Sequence, residues 1–233
     1  EENAELIWDW CNDFIKLNNI TPQSLIESSN VKFLFTTNEV FDDLSTFIKI
    51  KAKDYAFKVI PAYRADKIMN IEAERYNEFI GWLEAVTFPI NSIDDLERAL
   101  ELRLNEFIKV GTKAADIALE SVYAVASREQ ALEVFDKRRS GSQVDVKESE
   151  IFKGYLTYFL MKMYAKYDIR CELHVGAMRN NSSKMLAKLG LDTGYDSISE
   201  ENSIKYMSRL FDRLNNENAL PKTIVFNLNP KMN

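Results

Sequence analysis

The chain has 233 residues, 46% of them hydrophobic, and a formal net charge of -6. That is enough for one large domain with an ordinary core. The acidic balance excludes the basic footprint of a nucleic-acid binder, and no run of about 18 apolar residues offers a membrane span.

The richest apolar stretch, Tyr155 to Tyr164, is short and broken by Lys162. Glycine and proline are scarce, at 7 and 5, which points to a helix-rich α/β chain rather than an all-β protein with many tight turns. The acidic start lacks the basic region and apolar core of a secretory signal. Cys11 and Cys171 form no metal or redox spacing. The expectation is a protein of the reducing cytoplasm in which both cysteines are small buried hydrophobes.

In chain order, Leu6, Ile7, Trp10, Phe14 and Ile15 recur at helical spacing and predict an amphipathic helix from Ala4 to Leu17. Thr21-Pro22 opens a short helix through Leu25 and Ile26. Val31 to Thr37 reads as a buried strand with a polar end, followed by a helix near Leu44 to Lys51. Phe57 to Pro61 is the next strand and ends in Ala62-Tyr63-Arg64-Ala65-Asp66. A long helical pattern covers Ile71 to Val86. Asn91 or Ser92 caps another helix through Ile108, and Gly111 ends it. Lys113 to Leu119 is a weak strand, because alanine favours helix.

A helical block fills about 128–167, with Glu129 to Lys137 and Val144 to Lys166 as its helices and Arg139 to Gln143 as its loop. Its aromatic stripe, Phe152, Tyr155 and Phe159, reads as core packing. Arg170 to Val175 is a strand bearing His174, the only histidine of the chain. Gly176 leaves the following turn room to bend, and Asn181 or Ser182 caps a helix through Lys184 to Lys188. Glu200 to Asn215 is a helix with Tyr206, Leu210 and Leu214 inward, and Thr223 to Phe226 is the last strand. Strands thus alternate with helices about five times, which implies right-handed crossovers and a parallel sheet. Pattern alone leaves a doubly wound sheet and part of a barrel equally open.

The stretch His174-Val175-Gly176-Ala177-Met178-Arg179-Asn180-Asn181, followed by Leu189-Gly190-Leu191-Asp192-Thr193-Gly194-Tyr195-Asp196-Ser197-Ile198, resembles the uronate (glucuronate) isomerases. These are metal-linked (β/α)8 barrels of the amidohydrolase class. The likeness runs over nearly the whole chain. It implies a partial barrel of about five parallel strands with flanking helices, one domain over 1–233 holding the family's second to sixth strands. A single histidine makes the family's His-x-His metal pair impossible here. The divalent metal, zinc by the resemblance, would therefore be held by parts of a complete protein that this chain lacks. An incomplete barrel should form an open, curved sheet with two unpaired edges and an uncovered inner face.

The resemblance assigns roles as well. His174 would be catalytic and touch the sugar, since imidazole exchanges protons near neutrality. Arg64 lies in Pro61-Ala62-Tyr63-Arg64-Ala65-Asp66-Lys67, which is similar to the family's Pro-Ser-Trp-Arg-Pro-Asp-Lys. It would bind the substrate, because a guanidinium fork suits a carboxylate or vicinal hydroxyls. The plain alternative is an Arg64–Asp66 surface pair of little energetic worth. Arg179 would add a substrate contact while serving, with Asn180 and Asn181, mainly to support the His174 loop. Asp192 and Asp196 read as turn and cap carboxylates.

Three strand ends depart from the family pattern. They are Thr36-Thr37-Asn38-Glu39-Val40, Ala115-Asp116-Ile117 (where a histidine has become isoleucine), and Asn229-Pro230-Lys231-Met232-Asn233. The expected reaction is the interconversion of D-glucuronate with D-fructuronate, or of D-galacturonate with D-tagaturonate. The chain alone should be inactive, and a homo-oligomer would be compatible. The altered ends also leave room for another metal-dependent hydrolase of the same class, or for a non-catalytic sugar-acid-binding relative.

Overall fold

In the computed structural model, which describes residues 3–199 and 203–232, the described residues form seven strands. They are β1 (Phe33–Glu39), β2 (Lys58–Arg64), β3 (Ala114–Leu119), β4 (Arg170–Val175), β5 (Ala177–Met178), β6 (Ser197–Ile198) and β7 (Thr223–Asn227). Five make one parallel sheet in the order β1-β2-β3-β4-β7, and β5 and β6 pair as a small antiparallel ribbon. Helices α1 (Ala4–Leu17) and α2 (Pro22–Ser28) precede the sheet, and α3 (Ser45–Lys51) joins β1 to β2. The crossover from β2 to β3 holds α4 (Asp66–Met69), α5 (Tyr76–Ala85) and α6 (Ile93–Val110). That from β3 to β4 holds α7 (Arg128–Arg139) and α8 (Val146–Lys166), and that from β4 to β7 holds α9 (Ser183–Leu189) and α10 (Ser203–Asn216). None of these helices is long and apolar enough to cross a membrane.

Local chemistry sets the helix ends. The hydroxyls of Thr21, Ser92, Ser127 and Ser182 and the carboxylate of Asp145 each accept a backbone N–H of the first turn, satisfying donors that a helix start leaves free. Gly111 closes α6 at φ 114°, a left-handed conformation that costs glycine little.

The core lies on one face of the sheet only. Ala115 and Ile117 of β3 and Cys171, Leu173 and Val175 of β4 meet Leu100, Leu104 and Phe107 of α6 and Leu156, Leu160 and Tyr164 of α8. Burial pushes the Cys171 thiol up to about 12, so it stays neutral. Phe152 stacks on Phe135 in this core, while Tyr155 and Phe159 sit at its margin beside a surface cavity. Leu210 and Leu214 of α10 are buried, whereas Tyr206 is 37% exposed.

The other face is open. β1 and β7 each pair with one neighbour and do not pair with each other. Phe33 and Phe35 of β1 are 58% and 49% exposed. The sequence reading of β1 as a buried strand is therefore corrected: the described residues leave one of its two faces largely uncovered. Cys11 is likewise exposed rather than buried, because α1 buries none of its residues. The helix expected from Ile71 to Val86 begins only at Tyr76. Residues 70–75 form a loop whose carbonyls at Ile71, Ala73 and Glu74 accept from the buried guanidinium of Arg138. Arg103 does the same for the loop after β1, donating to Val40 and Asp42 carbonyls. A buried arginine thus pins each of two loops at the carboxyl ends of strands. β2 also runs three residues further than expected, so Arg64 lies within the strand. The first three residues of the predicted 200–215 helix lie outside the described residues.

Candidate active site

Strand register brings one row of charged residues across the open face. Glu39 lies opposite Arg64, Arg64 opposite Asp116, and Asp116 opposite Glu172. One pleat further along, Ala118 lies opposite His174 and His174 opposite Phe226. Because side chains two apart in a strand share a face, both rows look the same way. Glu39, Arg64 and His174 stand at or one residue from the carboxyl ends of their strands, the end at which closed α/β barrels place their active sites.

Arg64 and His174 meet at Asp116, which is 6% exposed. Arg64 Nη1 lies 3.6 Å from Asp116 Oδ2, and His174 Nδ1 lies 2.9 Å from Asp116 Oδ1. Arg64 Nε also donates to Asp66 Oδ2 at 2.6 Å, and Asp66 Oδ1 accepts the N–H of Ala118 at 3.2 Å. Asp66 is largely buried, and burial lifts its carboxyl despite the pull of Arg64. The Arg64–Asp66 pair is thus no free surface pair but part of a fixed network. The His174 ring stacks on Phe226 with centroids 4.5 Å apart and planes at 11°.

Glu39 stands at the other end of the row. Burial raises its carboxyl to about 7, against the pull of Lys67 3.9 Å away. Its Oε2 is buried without a hydrogen-bond partner. Glu172 is also raised, by burial first and by Asp116 second.

Above His174 a cavity of about 670 Å³ opens, lined among others by Glu72, Lys153, Arg179, Phe226 and Asn227. Lys153 pairs with Glu72, and Ser149 Oγ donates to the same carboxylate at 2.7 Å. Arg64 is not in the lining and sits one pleat deeper. Gly176, at φ 90°, turns the chain out of β4; a Cβ there would sit 3.0 Å from Asn227 Oδ1. Arg179 faces the cavity and pairs with Asp196 at 2.8 Å. Asp196 also accepts the Asn180 N–H, and Asn181 Nδ2 donates to the Met178 carbonyl and Ser197 Oγ. Asn180 Oδ1 accepts the Asp192 N–H. These bonds tie the loop after His174 to the β5–β6 ribbon.

The sequence reading singled out His174, Arg64 and Arg179, and it missed Asp116, Glu39 and Phe226 as members of the site. For Asp116 a signal existed: it is the one charged residue inside the apolar run of β3, and a buried lone carboxylate demands partners. Glu39 and Phe226 carry no such signal, because only the register places them.

Among the described residues no three His, Cys, Asp or Glu side chains converge to hold a metal ion. Asp116 is already shared between Arg64 and His174. This donor set does not fit a divalent metal held by the chain on its own.

The glucuronate isomerase family model matches residues 1–233. The uronate isomerase of Caldanaerobacter subterraneus subsp. tengcongensis is 41% identical over all of this chain and 51% of its own length. That of Clostridium perfringens is 40% identical over all of this chain and 51% of its own. The crystal structure of the Thermotoga maritima uronate isomerase superposes with a TM-score of 0.89 at 26% identity, over 99% of this chain and 51% of that one. The Caulobacter crescentus glucuronate isomerase gives a TM-score of 0.82 at 25% identity, over 89% of this chain and 43% of that one. The chain spans about half the length of the curated relatives it matches. Its five-stranded parallel sheet flanked by helices is the architecture of part of a (β/α)8 barrel, and the chain belongs to the glucuronate isomerase family.

Proposed function

We propose that this chain carries the sugar-acid-binding part of a uronate isomerase and that the complete protein interconverts D-glucuronate with D-fructuronate, or D-galacturonate with D-tagaturonate. The observation that supports this best is the joining of Arg64 and His174 through Asp116 on one open sheet face. In this reading Arg64, oriented by Asp66 and Asp116, presents its remaining N–H groups to the uronate carboxylate. His174 exchanges a proton with a sugar hydroxyl as the carbonyl moves between adjacent carbons. Arg179 closes the cavity from the side of the β5–β6 ribbon.

The five strands take the places of the second to sixth of the barrel. The exposed phenylalanines of β1 and β7 then pack against the remaining strands. The divalent metal, zinc by family resemblance, belongs to the complete protein and supplies Lewis-acid help when bound. A cytoplasmic location fits a chain with two unpaired cysteines and substrates of hexuronate breakdown.

The test is ketose formation from D-glucuronate and D-galacturonate by the complete protein and by residues 1–233 alone. The complete protein is expected to turn over at least one of them, and the isolated chain neither. Turnover by residues 1–233 would overturn the division of the site proposed here. Inactivity of the complete protein on both uronates would overturn the assignment itself.

A further inference from the structure

We infer that Asp116 is the positioning residue of His174: it holds the imidazole proton on Nδ1 and leaves Nε2 bare toward the cavity. The inference rests on the functional reading above only for what the bare nitrogen does.

Its physical basis is local. His174 Nδ1 and Asp116 Oδ1 are both buried, they lie 2.9 Å apart, and neither has a hydrogen-bond partner elsewhere. The separation is that of a hydrogen bond, although an Nδ1–H in this ring orientation is not aimed along it. Two buried polar atoms facing each other are costly unless one gives the other a proton. A carboxylate can only accept, so the proton belongs on Nδ1. Nε2 makes no hydrogen bond to any described residue and is not among the buried polar atoms. The side chain as a whole is 43% exposed, and with Nδ1 buried that exposure lies away from Asp116.

Asp116 is itself held. Its second oxygen faces Arg64, Arg64 is tied to Asp66, and Asp66 is tied to the backbone of β3 at Ala118. Phe226 fixes the plane of the ring by stacking. Position and tautomer of the histidine are thus set by separate neighbours. In the proposed reaction a bare Nε2 accepts the hydroxyl proton and can return it, whereas the opposite tautomer would turn a donor toward the sugar.

Because the chain has a single histidine, nitrogen-15 labelling gives one pair of imidazole nitrogens. Their shifts report the tautomer directly once the ring is neutral at alkaline pH. The expected result for the 233-residue chain is an Nδ1–H form favoured over Nε2–H by about tenfold or more. Asp116→Ala should move that ratio to or below unity. Asp116→Asn keeps the side-chain volume and an accepting oxygen but loses the charge, and it should lower the ratio while leaving the fold intact. Predominant Nε2–H in the unaltered chain would overturn the inference, as would a ratio unmoved by both substitutions. The measurement needs no substrate. An Nδ1–H tautomer in a protein without isomerase activity would therefore leave this inference standing while the functional reading fell, and the converse result would separate them the other way.

Discussion

At the scale of single residues, Glu39 and Asp116 are both acids in one row of the sheet, yet their surroundings treat them differently. Asp116 faces a guanidinium and an imidazole. Glu39 has one buried oxygen with no partner and a lysine 3.9 Å off, and burial outweighs the pull of Lys67 and Arg64 and lifts its carboxyl from 4.5 to about 7. A folded-state value above the unfolded one means that the native state holds its proton longer. The stabilisation this brings is complete below pH 4.5 and is lost as pH rises through about 7. A shift of that size corresponds to a loss of about 3 kcal/mol at most. Glu39→Gln should therefore be more stable than the parent at pH 8 and nearly equal to it at pH 4.5, as read by urea unfolding at the two pH values. Equal stability at both would show that the carboxyl is not held protonated.

At the scale of elements, most of the architecture was legible because local signals and tertiary packing agree. α1 and β4 have their predicted bounds, the one marked by a helical period and the other by strict alternation of buried and less buried residues. The failures have distinct causes. The helix expected over 71–86 starts late because residues 70–75 have helical composition but are held as a loop by Arg138, a residue more than sixty positions away. The β5–β6 ribbon is only two residues per strand, too short for any period to register.

Helix α8 gives a prediction at this scale. Gly154 faces the loop after β3, and a Cβ on it would lie 2.0 Å from the Ala124 carbonyl oxygen. Helix propensity alone favours alanine over glycine by about 1 kcal/mol. The overlap with backbone should outweigh that, and Gly154→Ala is expected to destabilise by about 1–3 kcal/mol net. A urea midpoint equal to or above that of the parent would show that α8 can slide away from the loop.

At the scale of the whole molecule, the open face of the sheet carries both a charged row from Glu39 to Glu172 and exposed phenylalanines at its two edges, Phe33 and Phe35 on β1 and Phe226 on β7. Phe226 belongs to both zones: it is 44% exposed and also the stacking partner of His174. A sequence pattern could show that strands and helices alternate, and family resemblance could mark His174 and Arg64. Neither could show that the two share Asp116, because that follows from register across three strands, which no linear period encodes.

The central claim is that Arg64 and His174 serve one sugar-acid site. It is tested most directly by a double-substitution cycle in the complete protein, following kcat/KM for D-glucuronate with Arg64→Ala, His174→Ala and the two combined. The account predicts that each single change lowers kcat/KM by about 100-fold or more, and that the combined loss falls well short of the product, because both residues act on one substrate through a shared carboxylate. Single variants within about twofold of the parent, or losses that multiply fully, would contradict it.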